Sequence, residues 1–278
     1  MSHLQTSAVG SPDLAVEVRF APHPDWLRSL DFEGHLVVDE DDLGLHLGHD
    51  GALALFDRVE KTALWWFDSG PVARWHFAAP LRQILHWHCV HRGQALLHAA
   101  AVSSNGRAAL ITGPGGSGKS TTSVLCHGAG LGFLGDDYCV VEPKDDGVAV
   151  FGLYRTAKLT ERSRHFFPTA LEHDFLEVDQ EKRALYLPDA AAGPVPADVL
   201  LIARVDETAP SHRAPATRMQ AFAAAGPTSV LQQRGAGALA LGTLAAAVRK
   251  LPAEHLVVSS DVEQVPRLVE SALREHRR

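Results

Sequence analysis

Residues Gly113 to Thr121 read G-P-G-G-S-G-K-S-T, a full match to the phosphate-loop pattern G-x-x-x-x-G-K-[ST]. No other feature of the chain restricts its fold so tightly, because the pattern works only between a strand and a helix. Gly113, Gly115, Gly116 and Gly118 let backbone N–H groups turn inward around a polyphosphate, with Ser117 among them. Lys119 supplies a cation for the β- and γ-phosphates, Ser120 a hydroxyl for Mg²⁺, and Thr121 completes the set of nucleotide-binding residues. Ala108–Thr112 is a short apolar run ahead of the loop, and Ser120–Gly128 can form a helix whose N-terminus faces the phosphates. A functionless glycine-rich turn requires neither the Lys-Ser pair nor this context. The pattern predicts binding of ATP with Mg²⁺, and a Lys119 that faces solvent from its loop.

The remaining composition sets bounds. At 278 residues the chain can hold one large domain, or an ordinary domain and a smaller one. Apolar residues make up 46% and charged residues 21%, as in soluble globular proteins. No apolar run reaches the roughly 20 residues needed to span a bilayer. The start, Met1–Ser7, shows neither a basic nor an apolar export segment, so the expectation is cytoplasmic. The three cysteines, Cys89, Cys126 and Cys139, are too scattered for a zinc knuckle or redox pair and read as reduced thiols. A formal charge of −7 argues against a surface that coats nucleic acid.

Periodicity divides the chain. Leu14–Phe20 and Gly44–Leu47 alternate like strands, and Leu64–Phe67 is aromatic enough to be buried. Ala79–His91 has helical spacing and ends near Gly93. Ala95–Val102 and Ala108–Thr112 are strands joined through Asn105-Gly106, a tight-hairpin dipeptide. These features place a boundary near Arg92–Gly93, giving a β-rich region over 1–92 and a larger unit over 93–278. Within the latter, Phe133–Val141 and Val148–Leu153 read as strands about a turn at Lys144–Gly147, and Val199–Ala203 as a buried strand. Arg162–Ala192 is mixed. Met219–Leu251 is an alanine-rich helical zone broken at Gly226-Pro227 and at Gly235–Gly237, followed by a strand at His255–Val258 and a helix at Pro266–His276. Strands and helices intermix with hairpins, which predicts a mixed α/β fold.

Asp136 and Asp137 separate one phosphate-loop chemistry from another. Phosphoryl transfer to a hydroxyl needs a carboxylate near Mg²⁺ and often another to take the proton. Adjacent aspartates on a strand point to opposite sides unless the backbone bends, and Gly135 permits a bend. Brought together near phosphates, their pKa values can separate, one aspartate holding metal and the other serving as base. A solvated acidic turn is the alternative.

Leu97-His98-Ala-Ala-Ala-Val102, then Asn105-Gly106, then the phosphate loop and Leu134-Gly-Asp-Asp-Tyr138 together resemble the core of the HPr kinase/phosphorylase superfamily. That core is also similar to phosphoenolpyruvate carboxykinase. The likeness covers residues 95–141. It implies a P-loop kinase core with a smaller β-rich N-terminal region, and it puts His98 on the strand before the loop, beside Asp136 and Asp137. The pair would then supply the base and a Mg²⁺ contact, in an order left open. The family's second signature, close to L-E-I-R-G-x-G, is not matched: Phe151–Leu159 has no glutamate there and carries Arg155 and Lys158 instead. The resemblance therefore leans toward HPr-kinase-related peptide serine kinases such as lasso-peptide kinases. It implies a small protein or peptide as partner and allows a homo-oligomer, since relatives tend to form ring-like ones. The charge and the lack of a long apolar run point to neither nucleic acid nor membrane as partner. Arg155, Lys158, Lys182 and Arg183 are candidate cations for the transferring phosphoryl, two or more of them better read as solvated surface.

Two rivals remain. The same core could phosphorylate a small hydroxyl compound such as free serine. Val199–Val205 followed by Asp206-Glu207 also resembles the strand that ATPases use for Mg²⁺ and water, although Arg204 interrupts its apolar run. His86, His88, Cys89 and His91 cluster on one helix, but His86 and His88 diverge by about 200°. A wet helix face is a better reading there than zinc.

Overall fold

The computed structural model describes residues 13–29, 36–40, 42–48, 50–68, 70–164, 166, 175–178, 181–190 and 193–277. Met1–Ser7, Asp41 and part of Arg162–Ala192 lie outside them. The chain begins with a five-stranded sheet of β1 (Ala15–Phe20), β2 (Leu36–Asp39), β3 (Leu43–Leu47), β4 (Ala52–Asp57) and β5 (Thr62–Phe67). Strand order is β1-β5-β4-β3-β2, and only the β1–β5 pair is parallel. Short α1 (Asp25–Arg28) lies between the first two strands, and α2 (Trp75–Ala78) and α3 (Arg82–Val90) follow the fifth. Alternation decides which face is covered: Ala63, Trp65 and Phe67 of β5 are buried with Phe56 of β4 and with Ile84 and Trp87 of α3. Strand β3 lies against the Trp87 ring, so closely that a Cβ at Gly44 would be 2.7 Å from Trp87 Cδ2.

Helix α3 starts later than its periodicity suggests, because Leu81 adopts φ 60 and helical backbone begins only at Arg82. It ends near the expected glycine, with Gly93 at φ 70 and the Gln94 N–H donating to the Cys89 carbonyl at 3.0 Å. Its histidines do not form one wet face. His86 is buried with Nε2 3.0 Å from the Gly235 carbonyl oxygen, whereas His91 is exposed. Packing between α3 and the segment at Gly235 recruits a position that a helical wheel leaves unassigned.

The remaining elements are β6 (Ala95–Leu97), β7 (Ala99–Ser104), β8 (Arg107–Thr112), α4 (Lys119–Gly128), β9 (Gly132–Gly135), β10 (Cys139–Lys144), β11 (Gly147–Gly152), β12 (Thr156–Thr160), α5 (Glu161–Arg164), β13 (Phe175–Glu177), β14 (Lys182–Tyr186), β15 (Val195–Val205), β16 (His212–Pro215), α6 (Arg218–Val230), α7 (Gly237–Lys250), β17 (Ala253–Val258) and α8 (Val265–Glu275). The architecture is mixed α/β, with a nine-stranded sheet in the order β6-β10-β11-β15-β8-β7-β9. Strand β17 pairs parallel to the C-terminal half of β15 and antiparallel to β16. Asn105 (φ 51) and Gly106 (φ 74) turn β7 into β8, as their sequence predicts.

Alternate residues of β8 and β15 feed two cores. Leu110, Leu200 and Ile202 pack with Ala221 and Ala225 of α6 and with Leu244 and Val248 of α7. Ile111, Val199 and Leu201 pack on the other face with Cys126 of α4 and Val269 and Leu273 of α8. Helix α6 does not break at Gly226-Pro227, contrary to the sequence expectation. It is held on both sides of the proline, by buried Ala221 and Ala225 before it and by buried Ser229 after it. The break comes at Gly235 (φ 74) and Ala236 (φ 50). A three-stranded sheet, β12-β14-β13, shares a core with α4 through Val124, Leu159 and Leu185.

Candidate active site

Strand β8 delivers the chain into the phosphate loop beside β15. Gly113 is confined by its neighbours: a Cβ there would lie 2.6 Å from Ser117 Oγ and 2.7 Å from the Ala203 carbonyl oxygen. Gly116 (φ 77) and Gly118 (φ 95) take left-handed conformations that let the loop turn its amides inward. Gly118 then caps α4 without any side-chain bond, and no acidic residue occupies the first helical turn, so the helix terminus stays electropositive.

Lys119 is not the solvent-facing lysine that its loop position suggested. It is buried, and its Nζ donates to the Gly113 carbonyl at 2.8 Å and the Pro114 carbonyl at 3.0 Å. Burial lowers its pKa. Ser117 Oγ is buried and has no hydrogen-bond partner among the described residues.

The aspartates lie where a regular ladder fails. Leu97 of β6 pairs with Cys139 of β10, and Ala101 of β7 with Gly135 of β9. Between these pairs both strands leave the ladder, one at His98 and the other at Asp136–Tyr138. His98 therefore sits at a bend between two strands instead of on one continuous strand. The aspartate bend is not at Gly135 either. It is at Asp137, with φ 66, where the Tyr138 N–H donates to the Asp136 carbonyl at 2.8 Å and closes a three-residue γ-turn. Gly135 serves close packing, with Cys139 Sγ 3.4 Å from where its Cβ would stand. The left-handed residue turns the two carboxylates apart, one inward and one toward a cavity.

Asp136 points inward and is fully buried. Its Oδ2 accepts the Lys158 backbone N–H at 3.0 Å, while Oδ1 has no hydrogen-bond partner among the described residues. Burial and then the charge of Asp137 raise its pKa, against the Lys158 N–H, the nearby Ser120 hydroxyl and Lys119, which lower it. Asp137 faces the cavity, and its Oδ2 accepts from Lys158 Nζ at 2.6 Å. Burial pushes its pKa up, but Lys158, His98 and Arg82 together outweigh burial and hold it at about 2. His98 Nε2 lies 3.6 Å from Asp137 Oδ1, and its ring stacks on Tyr138 at 5.3 Å. Burial lowers the His98 pKa to about 4, so near neutral pH this contact is a neutral imidazole beside a carboxylate and not an ion pair. Its backbone N–H donates to Ser229 Oγ at 2.8 Å, which ties the bend to α6.

His98, Asp137 and Gly115–Thr121 line a single cavity of about 690 Å³, with Gly113 and Asp136 behind its wall. Of the four candidate cations, Lys158 and Lys182 reach this cavity, and Arg155 and Arg183 are not in its lining. The rival acidic pair divides. Asp206 is occupied by a local turn, with Oδ1 accepting from Thr208 N at 3.0 Å and Thr208 Oγ1 at 2.6 Å, but Glu207 lines the cavity. Arg204 points outward past the last buried residue of the strand, Ala203, and so does not interrupt the apolar run. Arg82, Trp75 and Gln232 also line the cavity and carried no signal in the sequence. Arg82 follows an apolar stretch, and its guanidinium lies 5.5 Å from the Tyr138 ring centre.

The donor set suits Mg²⁺. A buried carboxylate with a free oxygen stands near the Ser120 hydroxyl, and Mg²⁺ sites use one or two carboxylates and take their other ligands from phosphate and water. That mode needs no cluster of three acidic or imidazole ligands, and none occurs among the described residues. No helix among the described residues is long and apolar enough to cross a membrane.

No protein-family model matches the chain, and no curated protein matches it. Among solved structures it is similar to the HPr(Ser) kinase/phosphatase from Coxiella burnetii, at 13% identity over 66% of this chain and 95% of that chain, with a TM-score of 0.33. A likeness this loose carries no inference about activity.

Proposed function

We propose that this protein is an ATP- and Mg²⁺-dependent kinase that moves the γ-phosphoryl onto a serine or threonine hydroxyl of a small protein or peptide. One observation carries the reading: an ionised carboxylate, Asp137, is turned by a left-handed residue into the cavity lined by the phosphate loop and Lys119. In this mechanism the loop amides, the α4 N-terminus and Lys119 hold the triphosphate. Ser120 and Asp136 would hold Mg²⁺, which neutralises phosphate charge when bound. Asp137 accepts the hydroxyl proton as the acceptor oxygen bonds to the γ-phosphorus and the bond to the β-phosphate oxygen breaks, leaving ADP. Neutral His98 orients the Asp137 carboxylate, and Lys158 keeps it ionised and adds positive charge beside the transferring group.

Glu207 favours a second reading, an ATPase in which that carboxylate aligns water, because it shares the cavity. Activity of Asp137→Asn and Glu207→Gln separates the two. The kinase reading expects Asp137→Asn to cut transfer by several orders of magnitude and Glu207→Gln to change it little. Acceptor-independent hydrolysis that disappears in Glu207→Gln and survives in Asp137→Asn would establish the ATPase instead. Either reading expects ATP with Mg²⁺ to raise the melting temperature by mass action.

A further inference from the structure

A second cavity of about 490 Å³ adjoins the first, and Trp75, Arg82, Lys158 and Gln232 line both. Its far wall comes from the five-stranded sheet, through Asp50 and Trp65, and from the segment after α6, through Arg234. The position is what an acceptor chain needs: the cavity shares Lys158, the partner of Asp137, with the first, and no phosphate-loop residue lines it.

The charges in this cavity do not cancel. Asp50, the one carboxylate among the lining residues, contacts His76, Oδ2 to Nε2 at 2.7 Å, and Lys158 is matched by Asp137 at 2.6 Å, so three cations face two carboxylates. Arg82, over the Tyr138 ring and within electrostatic reach of Asp137, and Arg234 form no direct ion pair among the described residues. Arg234 is held in place through its backbone: its N–H donates to Gln83 Oε1 at 2.9 Å and its carbonyl accepts from Gln83 Nε2 at 2.7 Å. Arg82 occupies the first turn of α3, where no acidic residue offsets the helix dipole. Two arginines and an electropositive helix end thus line a cavity with aromatic walls, a set of groups that matches a carboxylate.

We infer that this second cavity binds the peptide segment flanking the accepting hydroxyl, and that Arg82 and Arg234 select an aspartate or glutamate on that segment. The inference rests on the kinase reading for its hydroxyl but not for its charge preference. Binding energy collected away from the reacting atoms then positions the hydroxyl beside Asp137.

The test uses the full chain and a library of serine-centred peptides with aspartate, alanine or lysine at each flanking position. Binding is followed by fluorescence anisotropy with Mg²⁺ and a non-hydrolysable ATP analogue, and transfer by kcat/KM. The expected result is at least tenfold preference for acidic over lysine-flanked peptides in both measurements, weakening with salt. Arg234→Glu, at an exposed position, should reverse that preference and leave nucleotide affinity unchanged. Transfer that is indifferent to flanking charge, or a preference that survives Arg234→Glu, would overturn the assignment and leave the kinase intact. So would the absence of any peptide binding. Charge-selective binding, lost in Arg234→Glu but without transfer to any peptide, would keep the cavity assignment and sink the kinase reading.

Discussion

His98 and Asp137 touch, yet burial drives one pKa down by disfavouring charge while neighbouring cations hold the other down by favouring it. The histidine gives a pH dependence of definite sign. An imidazole near pKa 4 in the native state and near 6.5 when unfolded binds more protons unfolded between those values, so stability falls as pH drops from about 6.5 to 4. His98→Gln should remove up to about 1.4 kcal/mol per pH unit of that slope. Urea unfolding at several pH values measures this, and an unchanged slope would mean that His98 is charged in the native protein. Asp137 acts elsewhere: its lowered pKa stabilises the fold above about pH 3.8, and the contribution is lost as pH falls toward 2. In the sequence these residues were visible as types and spacings. The γ-turn was not, because aspartate enters left-handed backbone only where its surroundings require it, and here that requirement comes from a ladder broken on both strands.

At the scale of elements, the strand, loop and helix around Lys119 were legible because backbone and function impose the same pattern on the same residues. Gly113 shows how tightly they are joined. Its φ of 145 and the 2.7 Å separation between a would-be Cβ and the Ala203 carbonyl oxygen mean that Gly113→Ala must push the loop away from β15. A destabilisation of about 1–3 kcal/mol is expected, with weakened nucleotide binding, measurable by denaturation and by isothermal titration. Gly115→Ala, where nothing lies within 4 Å of the added carbon, should cost far less stability. The hairpin at Asn105-Gly106 was legible for the same reason: two left-handed residues in succession leave few alternatives. Helix α6 was misread as two pieces because its continuity is set by packing against the sheet, which outweighs the local effect of Gly226-Pro227. Arg82 was missed because nothing local distinguishes an arginine at a helix start from any solvated one.

Across the whole molecule, α3 is the shared element: Ile84 and Trp87 complete the core of the five-stranded sheet, and Cys89 joins Leu96, Tyr138 and Tyr154 beneath the large one. The two sheets should therefore unfold in one cooperative transition. Trp87→Ala, at a fully buried ring, should cost about 3–5 kcal/mol and move both halves together by circular dichroism and tryptophan fluorescence; two separated transitions would show that α3 does not couple them. Strands β1 and β3 of the first region could be read from alternation and the burial of β5 from its aromatics, but β2 and β4 were not read. The region's role as one wall of the second cavity could not be read either, since it arises from contacts between residues distant in sequence. Cys89, Cys126 and Cys139 are all buried. Burial lifts the thiols of Cys89 and Cys126 to about 12 and raises that of Cys139 as well, which leaves almost no thiolate at neutral pH. A cysteine introduced at exposed Leu231, on the edge of the second cavity, would accordingly react with maleimide dyes far ahead of the native three. The wild-type background can thus carry a single fluorescent reporter of that cavity without any prior removal of thiols.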